Sequence, residues 1–467
     1  MLLSSPEFFC FLAVVFCGYW LVWRTRLAAL AVILLADYFF YARWDLIYLA
    51  LIPSAAAADF FIGRGLARSR NAAVRKLLVT VSILMNVGLI ASCKYVPLFT
   101  ETWNHVTAHP LNAVSWSLPL GLSFYAFQAM TYTIDVYRND AKAATSLLTY
   151  LASVSFFPTA LAGPITRPAD LMPQWERRKT LLTSEEGGRA LFLIALGLFK
   201  KFLIADYLAE HLINRVFDLP NLYSGGEVLI AVYGYTWQLY YDFSGYTDIA
   251  IGAALLLGIK LPINFNHPYR AENIADFWRR WHITLSNWLR DYLYFALPGK
   301  RSRWRPYLNL VITFTLGGLW HGAAWTFAIW GLLHGVGLAV LRGFQTFRGH
   351  AKPSPKFVPR FLRGFVTFHF VVFTWIFFRA ANVSTALDIL CQIGSGTIAF
   401  ANVSGPFLMV LGIAVAAHYW PKSWYEKARN GFVAAPAVVQ AAALVLLVAA
   451  IEYIAATGAA PFIYTKF

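Results

Sequence analysis

"YLNLVITFTLGGLWHGAAWTFAIWGLLHGVGLAVL", residues 307–341, is apolar from end to end yet carries two histidines, His321 and His334. As one helix it would run roughly 50 Å at ~1.5 Å per residue, too long for a single crossing of a ~30 Å hydrocarbon layer. Folded as a hairpin, each arm is slightly short for a full crossing. Gly317, Gly318 and Gly322 offer the bend, and the bend carries His321. Both flanks are basic, with "GKRSRWR" before the stretch and Arg342 and Arg348 after it. Lys and Arg mark cytoplasmic loops, so both ends belong on the cytoplasmic side and the tip lies within the membrane. A histidine at that depth has to be paired, solvated by a cavity, or used.

The rest of the chain shares this character. Of its 467 residues, 59% are hydrophobic and 13% charged, and the mean hydropathy is +0.55. Soluble domains carry about 25% charged residues. The deficit is spread along the chain, which points to a polytopic membrane protein and not to a soluble domain with an anchor. The opening run "PEFFCFLAVVFCGYWLVW" is followed by no small-residue cleavage site and reads as a first transmembrane helix. The formal charge of +16 fits cytoplasmic loops rich in Lys and Arg. No basic patch lies on a polar fold, so nucleic acid is not an expected partner. Cys10, Cys17, Cys93 and Cys391 are scattered, mostly inside apolar runs, and have no metal-ligand spacing.

Apolar runs near the ~20 residues of a crossing recur along the chain. They are 6–23, 27–42, 46–63, 77–92, 113–132, 189–205, 226–259 (long enough for two), 361–379, 403–420 and 433–456. With 145–163 and 307–341 treated separately, the total is about 10 to 13 spans. The loop with Arg64, Arg68, Arg70, Arg75 and Lys76 belongs in the cytoplasm. Counting back places the N-terminus outside; counting forward places "CKYVPLFTETWNHVTAHP" outside. The run 145–163 breaks the alternation, because Arg138 and Lys142 precede it and Arg167, Arg177, Arg178 and Lys179 follow it. It carries Pro158, Gly163 and Pro164, and "SFFPTALAGPITRP" reads as a re-entrant segment. Such backbone survives at membrane depth only when buried in protein or lining a wet cavity.

Two further stretches carry chemistry. In "DFWRRWHITLSNWLRDYLYF", 276–295, Phe277, Trp281, Leu285, Trp288 and Tyr292 recur at helical spacing, with Arg279, Arg280, His282 and Arg290 off that stripe. One reading is an amphipathic interfacial helix with an aromatic belt. The other is a helix that caps a cavity and presents His282 and its arginines to an anionic donor. In "YDFSGYTDIAIG", 241–252, Asp242, Ser244, Tyr246 and Asp248 lie inside or at the rim of an apolar run. Buried carboxylates need partners, and helix ends or the arginines of 276–295 are the expected ones. No third clustered ligand accompanies them, so no metal is expected.

"GGLWHGAAWTFAIWGLLHG" and "DFWRRWHITLSNWLRDYLY" resemble the two signature blocks of the membrane-bound O-acyltransferase (MBOAT) family, in particular its bacterial branch of polysaccharide O-acetyltransferases of the alginate type. "LPLGLSFYAFQAMTYTIDVYR", "FFPTALAGPITRP", "GLFKKFLIAD" and "YDFSGYTDIAIG" resemble further blocks of that branch in the same order. The resemblance runs to about residue 380, and 381–467 matches no motif. It implies a single integral domain: an all-α polytopic membrane protein, with a ring of transmembrane helices plus re-entrant and interfacial helices around a central tunnel. The family's catalytic histidine maps onto His321 and its second histidine onto His282. The two blocks make Arg279, Arg280, Trp281, Asn287 and Trp320 the candidate substrate contacts. If 321–334 were one straight helix, His334 would sit on the opposite face from His321, ~20 Å away, as a packing histidine.

The implied activity passes acetyl groups from cytoplasmic acetyl-CoA across a bacterial inner membrane to an exported polysaccharide, with an extracytoplasmic acetyltransferase of the SGNH type as partner and no bound cofactor. Acyl transfer from a thioester to an alcohol needs a base or a relay, and a neutral imidazole suits both. D-alanyl transfer to teichoic acid is the alternative within the family. A secondary transporter is the alternative outside it, since broken helices and midplane polar groups suit one. For the topology, the expected outcome is that single cysteines placed in 64–76 and 342–364, on a cysteine-free background, escape an impermeant maleimide applied to intact cells. Labelling of either loop from outside reverses the orientation.

Overall fold

A computed structural model of the chain describes residues 1–107, 111, 121–177, 181–299, 302–349 and 356–455, and regular structure among the described residues is entirely helical. In chain order the α-helices are α1 (Pro6–Val22), α2 (Arg26–Ala42), α3 (Tyr48–Arg68), α4 (Ala72–Val106), α5 (Leu122–Arg138), α6 (Leu147–Val154), α7 (Pro168–Glu176), α8 (Ser184–Leu198), α9 (Asn214–Asp218) and α10 (Gly225–Leu256). There follow α11 (Ile274–Trp278), α12 (Ile283–Trp288), α13 (Arg305–His321), α14 (Trp325–Phe347), α15 (Phe357–Arg379), α16 (Val383–Gly394), α17 (Gly405–Tyr419), α18 (Lys422–Ala434) and α19 (Ala437–Ala455). π-Helical turns follow α8 at Phe199–Asp206 and α12 at Leu289–Tyr294. The protein is an all-α polytopic membrane protein. Five of these helices are long and apolar enough to cross a bilayer, and shorter apolar helices, α1 and α17 among them, accompany them. The run 226–259 is one continuous helix, not two. Of the expected span 113–132, residues 113–120 lie outside the described residues.

Local chemistry sets the helix ends. Ser5 accepts the Phe8 N–H at the start of α1, with Pro6 in the first turn, and Asn71 accepts the N–H groups of Ala73 and Val74 at the start of α4. Asn139, at φ 65°, closes α5 in the left-handed conformation that asparagine tolerates.

The chain forms two compact units, one of residues 1–194 and 246–262, the other of 195–245 and 263–467. In the first unit a polar chain threads α3, α4 and α5. Asp59 accepts from Ser82 Oγ at 2.6 Å and from Asn86 Nδ2 at 2.9 Å, and Ser82 Oγ lies 2.8 Å from Thr133 Oγ1. Beside it, α6 is far too short to cross a bilayer, at ~12 Å. The irregular backbone after α6 is buried, and the buried Asp37 carboxylate accepts the Phe157 N–H at 2.8 Å. That is the internal satisfaction a re-entrant segment requires.

In the second unit α13 and α14 form the hairpin expected of 307–341, with His321 the last residue of its first arm. The second arm is not short: α14 has 23 residues and is apolar enough to cross a bilayer. The turn is Gly322–Ala324. Gly317 and Gly318 do not make the bend; both lie inside α13. Gly318 instead lets the arms touch, because a Cβ there would strike the Phe327 carbonyl, as one on Gly331 would strike that of Phe314. Overpacking a contact of this kind costs about 1–3 kcal/mol. Gly331→Val should therefore lower the melting temperature of the detergent-solubilised protein by several degrees. Gly88→Val, in α4 with open space around its Cα, should leave it unchanged.

Candidate active site

The stretch 276–295 is not one helix. It breaks between α11 and α12, where His282 adopts φ 41° and ψ 55°, a left-handed conformation that L residues enter at a cost of about 1–2 kcal/mol. The loop ahead of it enforces the break. Asn266 N–H donates to Arg280 O at 2.9 Å, and Ile283 N–H donates to Asn264 O at 2.9 Å. These groups would have bonded along a continuous helix. The aromatic stripe is also not an interfacial belt: Phe277, Trp281, Leu285, Trp288 and Tyr292 are all buried in the core of this unit.

The break turns His282 inward, fully buried, with Nδ1 3.1 Å from Asn264 Oδ1. Its ring meets Phe243 edge-on at 4.7 Å. The centroid of His321 is 6.3 Å away and that of Trp320 is 6.5 Å away. His321 itself packs edge-on against Trp320 at 5.0 Å, Trp330 at 5.3 Å and Phe378 at 5.3 Å. The hairpin tip and the broken helix thus bring the two histidines together. The second tryptophan at His321 is Trp330, whereas Trp325, the neighbour in sequence, is exposed. Burial pushes the His282 imidazole far below the ordinary histidine range, to about 3, and so keeps it neutral.

The other candidates divide. Trp320 walls the histidine pair, while Trp281 packs behind it against Trp375 at 5.0 Å and Phe265 at 5.1 Å. Arg279 is exposed and donates to the Ala275 carbonyl at 3.3 Å. Arg280 pairs with Asp276 at 3.1 Å. Asn287 is half-buried on α12. His334 is held from both sides. Trp278 Nε1–H donates to its Nδ1 at 3.2 Å, and its Nε2 lies 3.0 Å from Thr374 Oγ1, whose own proton goes to Val371 O. Both of its ring nitrogens are engaged.

Asp242 meets a lysine, where the sequence points to a helix end or the arginines of 276–295. It pairs with Lys201 Nζ at 2.8 Å, and Lys201 also holds Asp206 at 2.8 Å. The π-helical turn sets Lys201 and Asp206 on one face at i, i+5. A lysine inside the run 189–205 signalled that such a partner must exist. Asn264, Phe243, Trp330 and Phe378 carried no comparable signal. Among the described residues no group of three or more His, Cys, Asp or Glu side chains is placed to hold a metal.

Two imidazoles with ring centres 6.3 Å apart thus lie among aromatic rings in a multi-pass helical protein. Comparison with known proteins supplies its class, a membrane acyltransferase. The chain belongs to the membrane-bound O-acyltransferase family, whose model matches residues 98–382. It is 38% identical over 421 residues to the peptidoglycan O-acetyltransferase of Helicobacter pylori, covering 84% of this chain and 79% of that one. It is 34% identical to the probable alginate O-acetylase of Pseudomonas putida over the full length of both. It is 32% identical to the teichoic acid D-alanyltransferase of Bacillus subtilis, over 60% of this chain and 74% of that one. The protein is a membrane O-acyltransferase.

The chain breaks between His321 and His334, so the two are not ~20 Å apart on one straight helix. Both pack on Trp330, at 5.3 and 4.9 Å. His334 differs in having both ring nitrogens held, by Trp278 and Thr374. His334→Ala should cost about 2–4 kcal/mol through the cavity and the stranded Trp278 N–H. It should therefore lower thermal stability while acyl transfer per folded molecule stays within a few-fold of wild type. A specific rate that collapses in a stable His334→Ala protein would make His334 part of the chemistry.

Proposed function

We propose that this enzyme takes acetyl groups from cytoplasmic acetyl-CoA and delivers them across a bacterial inner membrane for O-acetylation of an exported polysaccharide such as alginate. The closeness of His321 and His282 at a buried helix break carries this reading. The relatives named as acetyltransferases match more of the chain at higher identity than the D-alanyltransferase does, which favours acetyl over D-alanyl. In the reaction the acceptor oxygen bonds to the acetyl carbonyl carbon and its proton passes to the His321 imidazole. The C–S bond then breaks and the leaving thiolate takes that proton. His282, one ring away, holds or passes on a proton, and a wall that includes Trp320 keeps water from hydrolysing the thioester. The exposed Arg279 is the natural contact for donor phosphates through its forked N–H groups; Arg280, already paired with Asp276, is the weaker one. Asn287, half-buried on α12, is a further substrate contact in this reading, and Trp281 supports the site from behind. An extracytoplasmic acetyltransferase of the SGNH type receives the group or shares the polymer.

His321→Gln keeps a polar side chain of similar reach but cannot act as a base. It should lower transfer of labelled acetyl from acetyl-CoA in membranes at least ~100-fold at unchanged protein level, the scale of general-base catalysis. Near-normal transfer by folded His321→Gln places the chemistry elsewhere. If the purified protein accepts D-alanyl from a loaded carrier protein and ignores acetyl-CoA, then acetyl-CoA is not the donor.

A further inference from the structure

His282 is served by a residue eighteen positions upstream that belongs to neither signature block. Three donors converge on Asn264 Oδ1: Thr284 N–H at 3.2 Å, Thr284 Oγ1–H at 3.0 Å and His282 Nδ1 at 3.1 Å. The backbone carbonyl of Asn264 accepts the Ile283 N–H at 2.9 Å, so one residue clamps both sides of the break. Asn264 is itself buried.

This geometry fixes protons as well as positions. A backbone N–H only donates, so the amide atom facing Thr284 N must be the oxygen; the flipped amide would set N–H against N–H. That oxygen only accepts, so the nitrogen facing it, His282 Nδ1, must carry a hydrogen. A neutral imidazole has one N–H. Its basic nitrogen is therefore Nε2. Asparagine suits this task better than aspartate would. A carboxylate would also hold the tautomer, but it would pull the ring toward imidazolium and slow release of any proton taken up.

We propose that Asn264 is a positioning residue for acyl transfer: it locks His282 as the Nδ1–H tautomer, so that Nε2 is the nitrogen that accepts and returns the proton. This rests on the reading that His282 takes part in the reaction.

The test uses the full-length protein in lipid nanodiscs with 15N-labelled histidine, and His282→Gln to assign the His282 signal among the ten histidines. Wild type should show an Nδ1–H imidazole signal that disappears in His282→Gln. Asn264→Leu, close in shape, should lose that tautomer preference. Its kcat with acetyl-CoA should fall on the order of 10- to 100-fold, the usual penalty for removing a group that orients a functional histidine, with KM changed less than about two-fold. Asn264→Asp should keep the tautomer and move the acid limb of the kcat profile to higher pH. An Nε2–H signal for His282 in wild type, or a folded Asn264→Leu with unchanged kcat, overturns the proposal. If Asn264→Leu fails to fold, an unshifted pH profile in Asn264→Asp overturns it instead. A dead His282→Gln beside an active Asn264→Leu removes the role of Asn264 and leaves that of His282. A fully active His282→Gln removes both.

Discussion

Two backbone hydrogen bonds, Asn266 N–H to Arg280 O and Ile283 N–H to Asn264 O, hold open the break between α11 and α12 on which the site depends. A helix that stops in an apolar setting strands its last carbonyls and its first N–H groups, and no water is at hand to take them. The neighbouring loop supplies the missing partners. The energy recovered there supports the left-handed backbone at His282, which would not persist alone. The rest of the geometry follows. His282 turns inward, the aromatic stripe of 276–295 becomes core, and α13 and α14 close tightly enough through Gly318 and Gly331 to bring His321 alongside.

The same demand for internal satisfaction recurs wherever the chain is polar and buried. Lys201 stands between Asp206 and Asp242, and its environment answers a desolvation cost of several kcal/mol per ion with two short ion pairs. Asp37 accepts the Phe157 N–H after α6, and Asp59 gathers Ser82 and Asn86. The role of these groups is structural: they permit irregular or polar backbone at depths where plain apolar helices are the default. The C-terminal helices, beyond the family match, also serve this end. Tyr241 donates to Ala414 O at 2.7 Å, and Arg270 donates to His418 O at 2.7 Å, capping α17.

Chemistry gains from this architecture in a specific way. A neutral base is useful only while it stays neutral, and desolvation keeps it so. The aromatic shell around His321 and His282 does not bind a charged group well. In the proposed reaction the groups it would take are a thioester carbonyl and an uncharged hydroxyl.

Much of this was legible in the sequence. The hydropathy of 307–341, its glycines and its basic flanks specify a hairpin with His321 at the bend, but not that its second arm, α14, is long enough to cross a bilayer. The all-α membrane class and the family follow from runs and blocks that depend on local composition. His334 needed the structure, because its partners Trp278 and Thr374 lie 56 and 40 residues away. So did the break at His282. Its local pattern, apolar at steps of three and four, is that of a continuous amphipathic helix, and the bonds that interrupt it come from Asn264 and Asn266 on another segment. The partner of Asp242 was hidden for the same reason, since a π-turn changes which residues share a face without leaving a mark in the periodicity. Sequence determines what is local, such as polarity, helix period and loop charge. Which long-range hydrogen bonds override that period is decided only when the chain has folded.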